Sequence, residues 1–452
     1  MAEQFMNHVN ETPKNMRTFW IIWGGQFISM IGSGLTVFGL GVWIYEKTGQ
    51  ATPFALTALF STLPSLILMP IGGAIADRYS RKILMILADT GTGLSTAAAA
   101  LILFNGNLQV WHIYILATIS SIFSAFQEPA YTASITLLVP KKDLARSSGI
   151  LQMGQAVSAI ITPILAGGLY AVIGLKGIII IDAITYLSAI SALLIVHIPQ
   201  PKKKSQLIAN EGKKPSLLSD VVFGWLTLRS LPGLLGLLIY FASVNFFLNL
   251  STVLSGPLVL SFGSSADLGV VQMVSGIAML IGSLIMSTWG GPQKRKIPAL
   301  IGFIAIASAG LLISGLESNT WVISIGRVVL LIFIPFASAL SQAVFQTKIS
   351  PEIQGRVFSI RGTISRSMMP LAFIISGPLA DRVFNPLMAS GGSLNNTLLG
   401  NTLGTGPGRG IGLIMVLSCF FLWMASLVAY FHPRIRNLEI EIPDAISDEG
   451  DA

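Results

Sequence analysis

The chain holds one cysteine in 452 residues, and only 11% of its residues are charged. A lone thiol rules out an intrachain disulfide framework or a cysteine zinc cluster, and four scattered histidines offer no ligand pair at helical spacing. No metal site is therefore expected, and Cys419, inside an apolar run, reads as inert packing. Soluble domains carry about 25% charged residues, so water is not the main solvent of this chain. There is no Walker loop for direct use of ATP. His112 and His197 lie near the ends of apolar runs, and His8 and His432 in or beside the tails, none with an acid or nucleophile at useful spacing. Neither an enzyme nor a cofactor is expected.

What is present in quantity is hydrocarbon: 52% of residues are hydrophobic and the mean hydropathy is +0.73. A bilayer core about 30 Å thick takes roughly 20 apolar residues per helical span. The chain divides into twelve such stretches, near 17–45, 52–76, 82–104, 111–138, 147–172, 177–198, 231–258, 268–289, 298–315, 320–345, 357–381 and 410–431. The expected fold is an all-α integral membrane protein with twelve transmembrane helices in two six-helix pseudo-repeats. The first sixteen residues are polar, and the apolar stretch after them is too long for a signal-peptide core, so no cleavage is expected.

Lys and Arg number 28 against 20 Asp and Glu, a balance of +8. Their placement between apolar runs marks topology rather than nucleic-acid binding. With both termini cytoplasmic, 23 Lys and Arg fall in cytoplasmic segments and 4 in external loops, leaving Arg327 inside a span. That asymmetry is what the positive-inside rule requires of a twelve-span chain, and a bacterial inner membrane is the expected location.

The domain plan is then a cytoplasmic tail at 1–16, a six-helix half at 17–198, a basic cytoplasmic linker at 199–230, a second half at 231–432 and an acidic cytoplasmic tail at 433–452. The linker carries Lys202 to Lys204 and the pair Lys213 and Lys214. Leu217 to Leu228 has apolar residues at helical spacing, as in an amphipathic helix on the membrane face, and a plain linker fits as well. Val139-Pro140 with Arg146 is echoed by Ser350-Pro351 with Arg356, and Ala166-Gly-Gly-Leu by Ser376-Gly-Pro-Leu. These offsets are expected of two parallel repeats. The acidic tail reads as a disordered end.

The sharpest motif is the turn Gly73-Ala-Ile-Ala-Asp77-Arg78-Tyr-Ser-Arg81-Lys82. It closely resembles the signature of the major facilitator superfamily between helices two and three, with Ser80 in place of the commoner glycine. Gly72 and Gly73 permit close helix approach, Asp77 can face a helix N-terminus or an arginine, and Arg78, Arg81 and Lys82 hold the loop at the cytoplasmic surface. The resemblance implies a latch from Asp77 to the eleventh helix, assisted by Arg146.

A second resemblance covers nearly the whole chain and is to the macrolide-efflux branch of drug:proton antiporters. Its marks are Gln26, Ser29 and Gly32, then Phe126-Gln127-Glu128-Pro129-Ala130, Gly355-Arg356-Val357-Phe358, and Gly377-Pro378-Leu-Ala-Asp381-Arg382-Val-Phe. It implies proton-coupled efflux of an amphipathic small molecule by a monomer that alternates its access.

In the fifth span Gly154, Ser158, Thr162, Pro163 and Gly167 form a stripe of small residues, with Pro163 offering a bend. The stripe serves a sealed pathway or simply close packing. Antiporters of the superfamily have glycine at two of the positions held here by Ser158 and Thr162.

Ionisable groups inside spans are costly and count as functional candidates. Asp89, Glu128 and Asp182 are the proton-coupling candidates, with Glu128 the first choice because it lies deep in the fourth span beside helix-bending Pro129. The alternative is that each pairs with an arginine such as Arg146, Arg327, Arg361 or Arg366 to hold helices together. Gln26, Gln127, Asn245, Asn249 and Arg366 are candidates for orienting a ligand, although interhelical hydrogen bonding explains the amides as well. A lipid or lysolipid translocator, a siderophore exporter, and a non-transporting scaffold or sensor are the competing functions.

Overall fold

The computed structural model describes residues 16–140, 143–196, 198, 225–226, 229–292 and 294–444. The N-terminal tail before Met16, His197, Lys202 to Lys204, Lys213, Lys214 and nearly all of the Leu217 to Leu228 segment lie outside the described residues. Among the described residues every regular element is a helix, as an apolar solvent demands, since a helix satisfies its backbone polar groups within itself.

The long helices are α1 (Met16–Thr48), α2 (Ala51–Arg78), α3 (Arg81–Phe104), α4 (Val110–Leu138), α5 (Leu144–Ile195), α6 (Pro232–Leu260), α7 (Ser265–Trp289), α8 (Lys296–Leu316), α9 (Thr320–Lys348), α10 (Pro351–Pro378) and α11 (Arg409–Phe431). Ten helices among the described residues are long and apolar enough to cross a membrane. One of them, α5, is of double length, 52 residues, and turns at Gly174, whose φ of 63° and ψ of −171° break the helix. That glycine divides the fifth and sixth expected spans, a place where a side chain would be strained. Helix α10 has span length, 28 residues, but carries Arg356, Arg361 and Arg366 and is not among the ten.

The helix ends are written locally. Ser264 and Asp267 form a reciprocal capping box at the start of α7, and the Asn319 side chain accepts from the Trp321 and Val322 N–H groups at the start of α9, each satisfying orphan donors. Helix α10 runs into a π-helical turn, Leu379–Phe384, and the glycine-rich stretch beyond it holds only short helical turns before α11.

The chain forms two compact units. One takes in α1 up to Leu40, then Phe60 onward through α5; the other takes in Gly41–Leu59, the tip of the α1–α2 hairpin, together with the helices from α6 on. The core of the first is built on Phe19, Ile22, Met85, Ala130 and Leu193. That of the second is built on Leu234, Leu237, Ile297, Leu300, Phe345 and Leu422.

The expectation of a disordered acidic tail is corrected as far as residue 444. Two short helices, α12 (Pro433–Arg436) and α13 (Leu438–Glu441), follow α11 and bury Ile435 and Leu438. The Glu439 side chain accepts from the Lys296 N–H at 2.8 Å. Lys348, at the end of α9, donates to the Glu439 carbonyl and the Ile442 carbonyl, and forms an ion pair with Asp444 at 2.8 Å. Two apolar anchors and one buried lysine outweigh the acidic composition, which by itself reads as solvated chain.

Candidate functional site

In the first unit three helices bring one carboxylate and two amides together. Asp89 on α3 is only 3% exposed. Gln26 on α1 donates Nε2–H to its Oδ2 at 2.7 Å, and Gln127 on α4 donates to its Oδ1 at 2.6 Å. The Gln127 amide also donates to the Gln26 Oε1 at 2.8 Å, closing a ring. Three of the candidate residues named from sequence therefore form one cluster, and among the described residues no arginine is a partner of the carboxylate.

The cluster has chemistry of its own. An ionised carboxylate only accepts hydrogen bonds, whereas the protonated acid also donates one. With the two amide N–H groups aimed at Asp89, the arrangement drawn here suits the ionised form. On protonation a glutamine must turn to offer its carbonyl oxygen, so the proton on Asp89 is linked to the side-chain arrangement that joins α1, α3 and α4.

Asp182, on the arm of α5 beyond Gly174, is 1% exposed and lies among hydroxyls. Ser33 Oγ is 3.4 Å from its Oδ1, and Thr96 Oγ1 is 3.4 Å from its Oδ2. Ser33 also donates to the Tyr186 hydroxyl at 3.0 Å. Among the described residues no arginine is a partner of this carboxylate either. Glu128 is exposed, one residue along α4 from Gln127 but outside the ring.

The small-residue stripe of α5 packs on α1. Ser158 and Thr162 share a hydrogen bond of 3.1 Å, a Cβ on Gly34 would meet Thr162 Cγ2 at 2.6 Å, and one on Gly154 would meet the Trp23 ring at 3.3 Å. Pro163 and Gly167 are buried in the same stripe.

In the signature turn, Arg81 donates to the Ala133 carbonyl at 2.6 Å, and Lys82 to the Val196 and Leu194 carbonyls at 2.7 and 3.2 Å. These cations pin the start of α3 to α4 and to the end of α5, where the last carbonyls of a helix lack partners. Gly72 lies directly against the Ala125 carbonyl, while a Cβ on Gly73 would meet nothing. Asp77 and Arg78 are on the last turn of α2, their side chains outside the described set, and Arg146 is exposed.

In the second unit the amides expected to orient a ligand bond to their own helix. Asn245 donates to the Phe241 carbonyl and Asn249 to the Asn245 carbonyl, each at 2.8 Å. Arg366 is exposed. Arg361 donates to Ser341 and Gln342 on α9 at 2.8 and 2.9 Å and covers the Phe345 ring at 4.4 Å. An apolar recess of about 430 Å³ is lined by Leu235, Leu238, Ala242 and Phe246 of α6 and by Ile364 and Met368 of α10.

Three contacts of this unit were not singled out from sequence. Arg327, 8% exposed, donates through Nε to Ser275 Oγ at 3.1 Å and leaves Nη1 buried without a partner. Arg409 closes the C-terminal end of α8 through the Gly315 and Leu316 carbonyls at 2.9 and 2.6 Å. The Asp381 carboxylate, held on the π-helical turn, caps the start of α2. It accepts from the Ala51 N–H at 3.0 Å, the Thr52 N–H at 2.7 Å and the Thr52 hydroxyl at 2.6 Å. Asp381 stood inside the quoted Gly-Pro-Leu-Ala-Asp motif, but nothing in its spacing announces a partner more than three hundred residues away.

Among the described residues no group of three His, Cys, Asp or Glu could hold a metal ion.

The profile of the Major Facilitator Superfamily matches residues 22–373. Macrolide efflux protein A of Streptococcus pyogenes is 32% identical over 370 residues, which cover 81% of this chain and 90% of that protein. The multidrug efflux pump Tap of Mycolicibacterium fortuitum is 22% identical, over 90% of this chain and 94% of the pump. Among solved structures, a bacterial homologue of the human lysosomal transporter Spinster, in an inward-facing and unoccupied conformation, superposes with a TM-score of 0.67 at 16% identity. It covers 95% of this chain and 98% of that one.

Proposed function

The chain belongs to the major facilitator superfamily, and we propose that it is a secondary transporter exporting an amphipathic, macrolide-like small molecule in exchange for protons, with Asp89 as the proton-exchanging group. The observation that carries this reading is the ring of Asp89, Gln26 and Gln127, a buried carboxylate held by neutral amides instead of a cation. Among the described residues this carboxylate serves no ion pair, and intramembrane acids of this sort mark proton relays. Asp89 replaces Glu128 as the first candidate because Glu128 is exposed outside the ring.

A proton does work only by favouring one facing state over the other. Turning of Gln26 or Gln127 on protonation gives Asp89 that leverage, because the ring ties α1 to α3 and α4. The efflux relatives support the drug class, the streptococcal protein matching over 81% of this chain. We place the protein in the bacterial inner membrane as a monomer with both termini cytoplasmic, and retain Asp77 and Arg146 as candidates for the cytoplasmic gate.

The test is uptake of a macrolide and of a hydrophobic cationic dye into inverted vesicles under an imposed pH gradient. Wild type is expected to accumulate at least one of them, Asp89→Asn neither, and an uncoupler to collapse the accumulation. Transport indifferent to the uncoupler would instead favour a lipid or lysolipid translocator, a reading to which the apolar recess between α6 and α10 lends support.

A further inference from the structure

The tip of the α1–α2 hairpin, Gly41–Leu59, packs with the second unit, while the rest of both helices packs with the first. The tip sits in a seat that fits it closely. Gly377 of α10 lies directly against the Thr52 backbone, leaving no room for a Cβ. The Phe54 ring lies between two more glycines, Gly41 of α1 and Gly256 of α6, on which a Cβ would come to 2.9 and 2.6 Å from it. One turn beyond Gly377, the Asp381 carboxylate accepts from the Ala51 and Thr52 N–H groups at 3.0 and 2.7 Å and from the Thr52 hydroxyl at 2.6 Å. The first donors of a helix need partners from outside its own ladder, and Gln50, the residue before α2, is not one of the usual capping residues. The start of α2 is instead capped from the far end of the sequence, by a residue on a π-helical turn, a form frequent at functional sites.

We propose that this seat is a bolt: Asp381 holds the hairpin tip in the second unit in one facing state, and the tip withdraws from the seat in the other. The inference rests on the transporter reading and adds to it a gating residue at the opposite end of α2 from Asp77. With the N-terminus cytoplasmic, the tip is external. Helices α1 and α2 are continuous where they pass from one unit to the other, between Leu40 and Gly41 and between Leu59 and Phe60. A change of access that moves one unit against the other must therefore bend both helices there or draw the tip out. The seat suits reversible withdrawal. Its polar bonds run to helix-end N–H groups that water can take over, and glycines, which carry no side chain to interlock with the tip, line it. The carboxylate also favours the seated tip electrostatically, because the N-terminus of α2 is the positive end of its dipole.

The test is the distance between spin labels on Gln50→Cys and Asn396→Cys, both exposed positions, in the purified full-length protein, read by pulsed electron paramagnetic resonance. It needs neither substrate nor a proton gradient, so its outcome is separate from whether a macrolide is exported. Asp381→Ala is expected to raise the ratio of a second, longer distance to the seated one about tenfold over the protein with Asp381 intact. Gly377→Ala, which removes no hydrogen bond but fills the seat, is expected to populate the same longer distance. Loss of a merely structural cap would broaden the seated distance without creating a second population. A single population in both variants, or two populations in the ratio found with Asp381 and Gly377 intact, would overturn the proposal. A second population in Gly377→Ala alone would overturn the role of Asp381.

Discussion

At the scale of single residues, the polar groups of the first unit divide by what surrounds them. The ring makes each glutamine a partner of Asp89 and of the other glutamine. Gln127→Leu removes two of its three hydrogen bonds and leaves part of a buried carboxylate unbonded, at a cost of about 1–3 kcal/mol. Gradient-driven accumulation in inverted vesicles should fall about tenfold or more for this variant, a factor that 1.4 kcal/mol already supplies, while Glu128→Gln should fall by less than about twofold. Equal loss in the two would put proton exchange outside the ring. The sequence singled out Gln26, Asp89 and Gln127 separately, as costly polar residues in apolar runs. Their convergence was not legible, because they sit on three helices and no periodicity relates one helix to another. Arg327 was visible as the one cation left inside a span, but not that among the described residues no carboxylate pairs with it. Arg327→Met should raise thermal stability in detergent by about 1–2 kcal/mol, since it removes an unmatched buried charge. A lower melting temperature would show that the guanidinium has a partner that matters.

At the scale of elements, helix ends and crossings carry the specificity. Gly72 lies on the Ala125 carbonyl of α4, whereas Gly73, next to it in the signature motif, faces open space. Gly72→Ala should therefore lower the melting temperature in detergent and Gly73→Ala leave it within about 0.5 kcal/mol of wild type. Equal effects would refute the drawn α2–α4 crossing. Asp381→Ala removes the cap of α2 and should cost about 1–2 kcal/mol, read as easier unfolding, with Thr52→Val costing less because both N–H bonds remain. Most span positions were legible from hydropathy, since twenty apolar residues can do little else than cross a bilayer. The break at Gly174 was legible too, as the glycine between two apolar runs. The order of residues 433–444 was hidden by composition, because acidic content says nothing of Lys348 waiting on α9 to bind the carbonyls of that segment.

At the scale of the whole molecule, the family membership is that of a transporter, and on the proposed reading the polar ring converts protonation into a change of access. The gate motif and the efflux marks were readable because they are short and contiguous. The difference in burial on which the proposal prefers Asp89 to Glu128 was not, since one sequence does not display burial. Proton exchange is best tested on the molecule itself, by adding a macrolide to purified protein in lightly buffered detergent and recording the pH change. If substrate displaces the proton from the ring, wild type should release on the order of one proton per molecule and Asp89→Asn none, because exchange requires the two ligands to favour different protonation states. Proton release undiminished in Asp89→Asn would contradict the account.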